Sequence, residues 1–193
     1  MFDGGEAVER ALRFDAAVAD GLGVLIDRVL IALIDAEAFL VHEAEPELGV
    51  GKIQVGNFKG AMELQSGDGN QELDAVEGTL RARAGDGSIR AAGRFDGLDL
   101  STGDGKIEAR VQSGSTMRTN WILHTGDGSV TLQLPSQFSA DLDMHTGDGH
   151  INVDMPLAIE GRISGRNIHG KLNGGGSTLT VHTGDGSINL EKS

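Results

Sequence analysis

From about residue 50 onward the chain alternates apolar and polar positions in short runs, and the runs come in pairs. Leu98-x-Leu100, Leu142-x-Met144 and Leu179-x-Val181 each lead into a break. Ile107-x-Ala109-x-Val111, Val130-x-Leu132-x-Leu134, Ile151-x-Val153-x-Met155 and Ile188-x-Leu190 each follow one. Period two with one apolar face predicts half-buried strands. The break is the same tripeptide each time: Gly67-Asp68-Gly69, Gly85-Asp86-Gly87, Gly103-Asp104-Gly105, Gly126-Asp127-Gly128, Gly147-Asp148-Gly149 and Gly184-Asp185-Gly186. This is turn chemistry, because glycine supplies positive φ and aspartate can bond local backbone N–H groups. Each unit therefore reads as strand, tight turn, strand, looser turn.

The first glycines are spaced 18, 18, 23, 21 and 37 apart. The last interval is twice 18.5, which places a degenerate copy at Ser164-Gly165-Arg166-Asn167-Ile168. Such units build either a meander of hairpins or a coil in which each repeat stacks on its predecessor. An 18-residue unit buries its apolar face only against neighbours, and like residues recur at like phase, so the pattern favours stacking. The predicted fold is all-β: a parallel β-solenoid of about seven short coils, about 30–35 Å long at the spacing of neighbouring strands. Ile107, Val130, Ile151 and Ile188 should share an interior column. The longer intervals add residues around Gln112-Ser113-Gly114-Ser115-Thr116 and Leu134-Pro135-Ser136-Gln137, and loops of this kind are candidate binding elements. Asn173-Gly174-Gly175-Gly176 reads as a sharp bend.

Residues 1–49 do not match the repeat, and the chain divides there from a repeat domain at 50–193. Residues 6–20 and 24–43 carry apolar residues near helical spacing, with Leu25, Ile26, Val29, Leu33 and Leu40 on one stripe. The second stretch also fits two strands. As a helical N-terminal cap this segment would cover an otherwise open solenoid end; the alternatives are a docking helix for a partner or a disordered leader. At the other end, Ile188-Asn189-Leu190 runs directly into Glu191-Lys192-Ser193, which predicts an uncovered last rung open to edge-to-edge association.

Composition narrows the function. Lys+Arg 16 against Asp+Glu 29 gives a formal net charge of -13, without the basic face a nucleic-acid binder needs. The same balance disfavours anionic membranes. There is no cysteine, so no disulfide framework, thiolate metal site or cysteine nucleophile is available. The longest apolar run, Val29-Leu30-Ile31-Ala32-Leu33-Ile34, is far short of the roughly 20 residues that span a bilayer. MFDGGEAVER lacks the basic start of a signal peptide, which leaves the compartment open.

Stacking would align Asp68, Asp86, Asp104, Asp127, Asp148 and Asp185 along one corner. Their first reading is structural, as Asx turns; a cation held by Asp104, Asp127 and Asp148 is the weaker alternative, since the Gly-Gly-x-Gly-x-Asp nonapeptide of Ca²⁺-binding rolls is missing. A second column, Gln65, Arg83, Ser101, His124, His145 and His182, should face outward as a solvated ladder, and Thr102, Thr125, Thr146 and Thr183 should support the turns. No G-x-S-x-G elbow, P-loop, G-x-G-x-x-G or H-E-x-x-H occurs. The recurring aspartates recur because the turn does, whereas a catalytic residue should be singular. No catalytic residue and no cofactor is predicted.

The units LDLSTGDGKIEARV, ILHTGDGSVTLQLP, LDMHTGDGHINVDMP and KLNGGGSTLTVHTGDGSINLEKS resemble a bacterial β-strand-repeat family of unknown function known as "putative adhesins". The resemblance covers about residues 50–193. It implies a parallel β-solenoid and a place at the cell envelope or outside the cell, and it brings no catalytic residues. The expected function is a non-catalytic adhesin-like binding or surface module for a protein or glycan ligand. The alternatives are a scaffold stacking end to end as a homo-oligomer and, more weakly, a cation-binding repeat.

Overall fold

The computed structural model describes residues 12–13, 23–26, 29–43, 52–154 and 159–193. Every regular element among them is a strand. They are β1 (Leu12–Arg13), β2 (Gly23–Ile26), β3 (Val29–Glu43), β4 (Lys52–Gln65), β5 (Gln71–Arg83), β6 (Ile89–Thr102), β7 (Ile107–Val111) and β8 (Trp121–Thr125). Then follow β9 (Val130–Leu134), β10 (Ala140–Thr146), β11 (Ile151–Asp154), β12 (Ile159–Ile163), β13 (Asn167–Leu172), β14 (Thr178–Thr183) and β15 (Ile188–Lys192). All belong to one 15-stranded sheet.

The Gly-Asp-Gly turns divide this sheet into two arms. Before the turns, the second halves of β4, β5 and β6 are followed in space by β8, β14 and β10, all parallel. After the turns, the first halves of β5 and β6 are followed by β7, β9, β15 and β11, again all parallel. Alternation then puts every second side chain inside. In the first arm Leu64, Ala82, Leu100, Leu123, Val181, Met144 and Ile168 stack in register, and all are buried. In the second arm the column is Ile53, Gln71, Ile89, Ile107, Val130, Ile188 and Ile151. The two arms share one hydrophobic cluster. Each fully buried aliphatic side chain contributes roughly 1.5–3 kcal/mol of transfer free energy. Gln71 is the polar exception: its amide donates to Ser66 Oγ and Arg83 O, both at 2.7 Å.

The stacking order departs from chain order. Coils follow the sequence up to β8 and β9, but the next rung is the C-terminal pair β14–β15, and β10–β11 comes only after it. The order of the six turns is thus 67, 85, 103, 126, 184, 147 by first glycine. The expected uncovered last rung is therefore an interior rung, paired on both sides. The expected degenerate copy also differs: Ser164-Gly165-Arg166-Asn167 is the tight turn between antiparallel β12 and β13, closed by Ser164 N–H to Asn167 O at 2.8 Å. The 37-residue interval holds a hairpin, not a parallel coil, and seven coils in sequence order are not what forms.

Antiparallel strands close both ends of the first arm, and β3 runs on along β4 to close one end of the second arm as well. β13 pairs with β10 and β12 with β13 at one end, while β3 pairs with β4 at the other. The helical cap expected over 24–43 is instead β2 and β3, an antiparallel pair. Its run of Val, Ile and Leu is strand-forming, and β4 offers it a free edge to pair with. Residues 6–20 lie outside the described residues apart from Leu12–Arg13, which is a strand paired with β3.

The glycines of the turns act through close approach rather than through positive φ. None of the Gly-Asp-Gly glycines has positive φ. The second glycine of each triplet is buried, and in the triplets after the first a Cβ there would meet the carbonyl of the neighbouring unit: 2.2 Å from Gly69 O for Gly87, 2.2 Å from Gly87 O for Gly105, 1.9 Å from Gly105 O for Gly128, 2.0 Å from Gly128 O for Gly186 and 1.9 Å from Gly186 O for Gly149. Thr102, Thr125, Thr183 and Thr146 are buried beside them and donate across coils to Gly87 O, Gly105 O, Gly128 O and Gly186 O at 2.7–2.9 Å.

Positive φ occurs instead at the bends that return the long strands to the first arm. Asn57 (φ 55) and Ala75 (φ 54) occupy equivalent places 18 residues apart. Asparagine tolerates this left-handed conformation, whereas alanine is strained there. Replacing Ala75 by Asn is expected to raise stability by up to about 1 kcal/mol, read as a higher denaturation midpoint at unchanged slope.

Candidate ligand-binding face

Four outward surfaces could carry chemistry. At the turn corner, Asp68, Asp86, Asp104, Asp127, Asp185 and Asp148 are exposed and succeed one another in that order. Asp185 therefore separates Asp127 from Asp148, which chain order would have made neighbours. Among the described residues the carboxylates make no hydrogen bond to their own turns, and the one partner is Arg166, whose Nη1 lies 3.8 Å from Asp148 Oδ1. The turns are closed by backbone bonds between coils, such as Gly126 N–H to Gly103 O and Gly184 N–H to Gly126 O, both 2.6 Å. Among the described residues no three acidic or histidine side chains are grouped to hold a metal ion.

The histidine column is brought together with the same change of order: His124, His182, His145. The rings of His145 and His182 meet edge to face with centroids 5.7 Å apart. Next to them His145 Nδ1 lies 2.7 Å from Asn167 Oδ1, and His169 pairs with Asp143 at 3.0 Å. This is a polar ladder on the outer face of the first arm.

The inserted loops are tied into the body. Ser115 Oγ donates to Gln112 O and accepts from Phe95 N–H, Thr116 Oγ1 donates to Asp96 Oδ1, and Ser177 Oγ donates to Met117 O. Asn173 Nδ2 donates to Ser136 O and Phe138 O. Beneath them Trp121 packs against Phe95 and Phe138 at centroid distances of 6.3 and 5.1 Å. The loops near Ser113 and Pro135 thus cover the aromatic end of the core.

A further concavity lies on the outer face of the second arm. A groove of about 630 Å³ runs across the outward residues of β4, β5, β6, β7 and β9. It exists because Gly56 and Ala92 present almost no side chain where neighbouring strands carry Asp74, Arg110 and Gln133. Its walls are a bonded polar ladder. Lys52 Nζ and Gln54 Nε2 reach Glu72 Oε2 at 2.6 and 2.8 Å, Arg90 bridges Glu72 and Glu108 at 3.5 and 2.7 Å, and Arg110 Nε donates to Gln133 Oε1 at 2.7 Å. Three carboxylates (Glu72, Asp74, Glu108) and two guanidiniums (Arg90, Arg110) line the groove.

The ladder sets protonation states. The Lys52 hydrogen bond, followed by that of Gln54, lowers the Glu72 pKa from 4.5 to about 2. The hydrogen bond to Glu108, together with its charge, raises Arg90 above its ordinary value. A depressed carboxylate contributes stability that is present above its unfolded pKa and is lost as pH falls through its folded one. Glu72 therefore stabilises the fold above about pH 4.5 and loses that contribution between about 4.5 and 2. Melting temperatures measured over that range are expected to fall less steeply for Glu72→Gln than for the unmodified chain.

Sequence reasoning did not single out this face, although the signal was present. Gln54, Glu72, Arg90 and Glu108 recur every 18 residues at one phase, with opposite charges on successive rungs. Cross-strand pairs of opposite charge are what stacked strands favour.

The described residues thus define an all-β protein built on one 15-stranded sheet, with polar ladders on its outer faces. The model of the family described as Toastrack DUF4097 matches residues 34–191, and the chain belongs to that family. The match begins within β3. A comparison with curated proteins finds no match. Among solved structures, the chain is similar to one described as a "putative cell adhesion protein" from Clostridium sporogenes, with 14% identity over 86% of this chain and 81% of that one and a TM-score of 0.49.

Proposed function

We propose that the protein is a non-catalytic, adhesin-like binding module, a parallel β-solenoid in character, and that its ligand, a protein or a glycan, lies along the groove of the second arm. The groove carries this reading. Its volume is within the range of ligand sites, and its polar groups are held in place by one another before any ligand arrives. Its walls are carboxylates, amides and guanidiniums engaged in mutual hydrogen bonds, an arrangement suited to recognition by hydrogen bonding. The acidic composition sets nucleic acid aside as a partner, and residence at the cell envelope or outside the cell accords with a surface-binding role. The exposed corner aspartates stand outside this reading, and a cation does not enter it.

Filling the groove is the test. Ala92→Gln places a side chain on its floor, while Ile122→Thr alters the exposed apolar residue of the opposite arm. Both variants and the unmodified chain would be screened against immobilised glycans and cell-surface proteins. Saturable binding reduced at least tenfold by Ala92→Gln and unchanged by Ile122→Thr is expected. Binding lost equally in both, or retained in Ala92→Gln, would contradict the assignment.

A further inference from the structure

We propose that the C-terminal coil, residues 177–193, is an exchangeable element, and that two copies of the chain trade it to form a dimer. The argument begins with topology. The chain leaves β13 on one side of β10, passes over the start of β10, and enters β14 on the other side. β14 and β15 then fill a slot between β8–β9 and β10–β11, pairing in parallel with both walls.

Both walls offer that coil the same surface. Leu123, Val181 and Met144 are in register, as are Thr125, Thr183 and Thr146, and Val130, Ile188 and Ile151. The turns repeat the equivalence: Gly184 N–H bonds Gly126 O at 2.6 Å, and Asp148 N–H bonds Gly184 O at 3.0 Å. A slot emptied of its own coil is thus complementary to residues 177–193 of any second copy, which would make every one of these contacts again. The same equivalence would let β10–β11 close directly onto β8–β9 in chain order. The coil therefore competes for its place.

The hinge is short. Asn173 (φ 48), Gly174 (φ 90) and Gly175 (φ 84) are three consecutive left-handed residues. The loop is folded tightly over β10, with Gly175 so placed that a Cβ would lie 2.4 Å from Asp141 Oδ1. Only residues 173–177 carry the chain across β10, and short hinges promote exchange of the element they carry.

The test uses the full chain and its lack of cysteine. Ile122 and Thr180 are Cα partners on β8 and β14, within reach of a disulfide across neighbouring strands. In Ile122→Cys/Thr180→Cys the bond is internal when the coil is the chain's own and intermolecular when it is the partner's. Refolding over a range of concentrations, then oxidation, should give an internally bonded monomer plus a disulfide-linked dimer. By mass action the ratio of dimer to monomer should rise about tenfold per tenfold in concentration while dimer is the minor species. Deleting Gly174 and Gly175 prevents the crossing of β10 and should make the linked dimer predominant. A hinge-shortened chain that remains an internally bonded monomer would overturn the proposal. So would a dimer with only internal bonds, or a full-hinge chain that refolds to monomer alone at every concentration.

Discussion

Gly128→Ala is expected to cost more than about 3 kcal/mol, and in a chain of ordinary stability it should leave little folded protein. The methyl group would sit 1.9 Å from Gly105 O and 2.6 Å from Gly105 C. That obstacle is backbone, held by the coil beneath, so no rotamer change removes the clash. Relief requires opening the stack at this rung, which also breaks the Thr125 bond to Gly105 O and the Gly126 N–H bond to Gly103 O. The control lies within the same motif. Gly67 begins the first triplet, has no positive φ, and a Cβ there meets nothing within 4 Å. Gly67→Ala should change stability by no more than about 0.5 kcal/mol. If the glycines acted only as flexible turn residues, the two substitutions would have similar effects. Chemical denaturation of both variants side by side distinguishes the cases.

Thr125→Val should cost about 2–3 kcal/mol with almost no change in shape. The hydroxyl is fully buried, donates to Gly105 O at 2.9 Å and accepts from Gly128 N–H at 3.2 Å. Valine fills the space but leaves a buried carbonyl and a buried N–H without a partner, and each such group carries a desolvation penalty of about 1–3 kcal/mol. Thr125→Ser keeps both bonds and loses one methyl group, so it should cost only about 1 kcal/mol. Valine more disruptive than serine identifies the hydroxyl as the coupling element; the reverse order would mean that packing of the methyl group dominates. Thr102 and Thr183 make the same cross-coil bonds, and the same ranking is expected there.

These two substitutions mark the boundary of what the sequence discloses. Period two reported the strands and the inward columns, because one-sided burial imposes it directly on residues such as Ile107, Val130 and Ile188. The Gly-Asp-Gly spacing located the turns. It did not disclose why glycine is needed, since close approach of a neighbouring coil leaves no trace within the triplet itself. Order was hidden for a related reason. Leu123, Met144 and Val181 are interchangeable at their rung, so no local signal says which coil lies on which, and the decision rests on the hairpin β12–β13 and the crossing over β10. The helical expectation for 24–43 failed because an apolar run of Val, Ile and Leu fits either period until a partner edge selects one. The groove was partly legible: the 18-residue recurrence of Gln54, Glu72, Arg90 and Glu108 was there, but its concavity depends on what Gly56 and Ala92 lack.

The intercalated rung is the claim on which the rest depends, and backbone nuclear Overhauser contacts test it directly. Strands that neighbour one another lie about 4.8 Å apart, whereas strands two places apart are about 9.6 Å apart and give no contact. The account predicts contacts between Leu123 and Val181 and between Val181 and Met144, with none between Leu123 and Met144. Contacts linking Leu123 directly to Met144, with Val181 reaching only one of them, would mean that the coils stack in chain order and would contradict it.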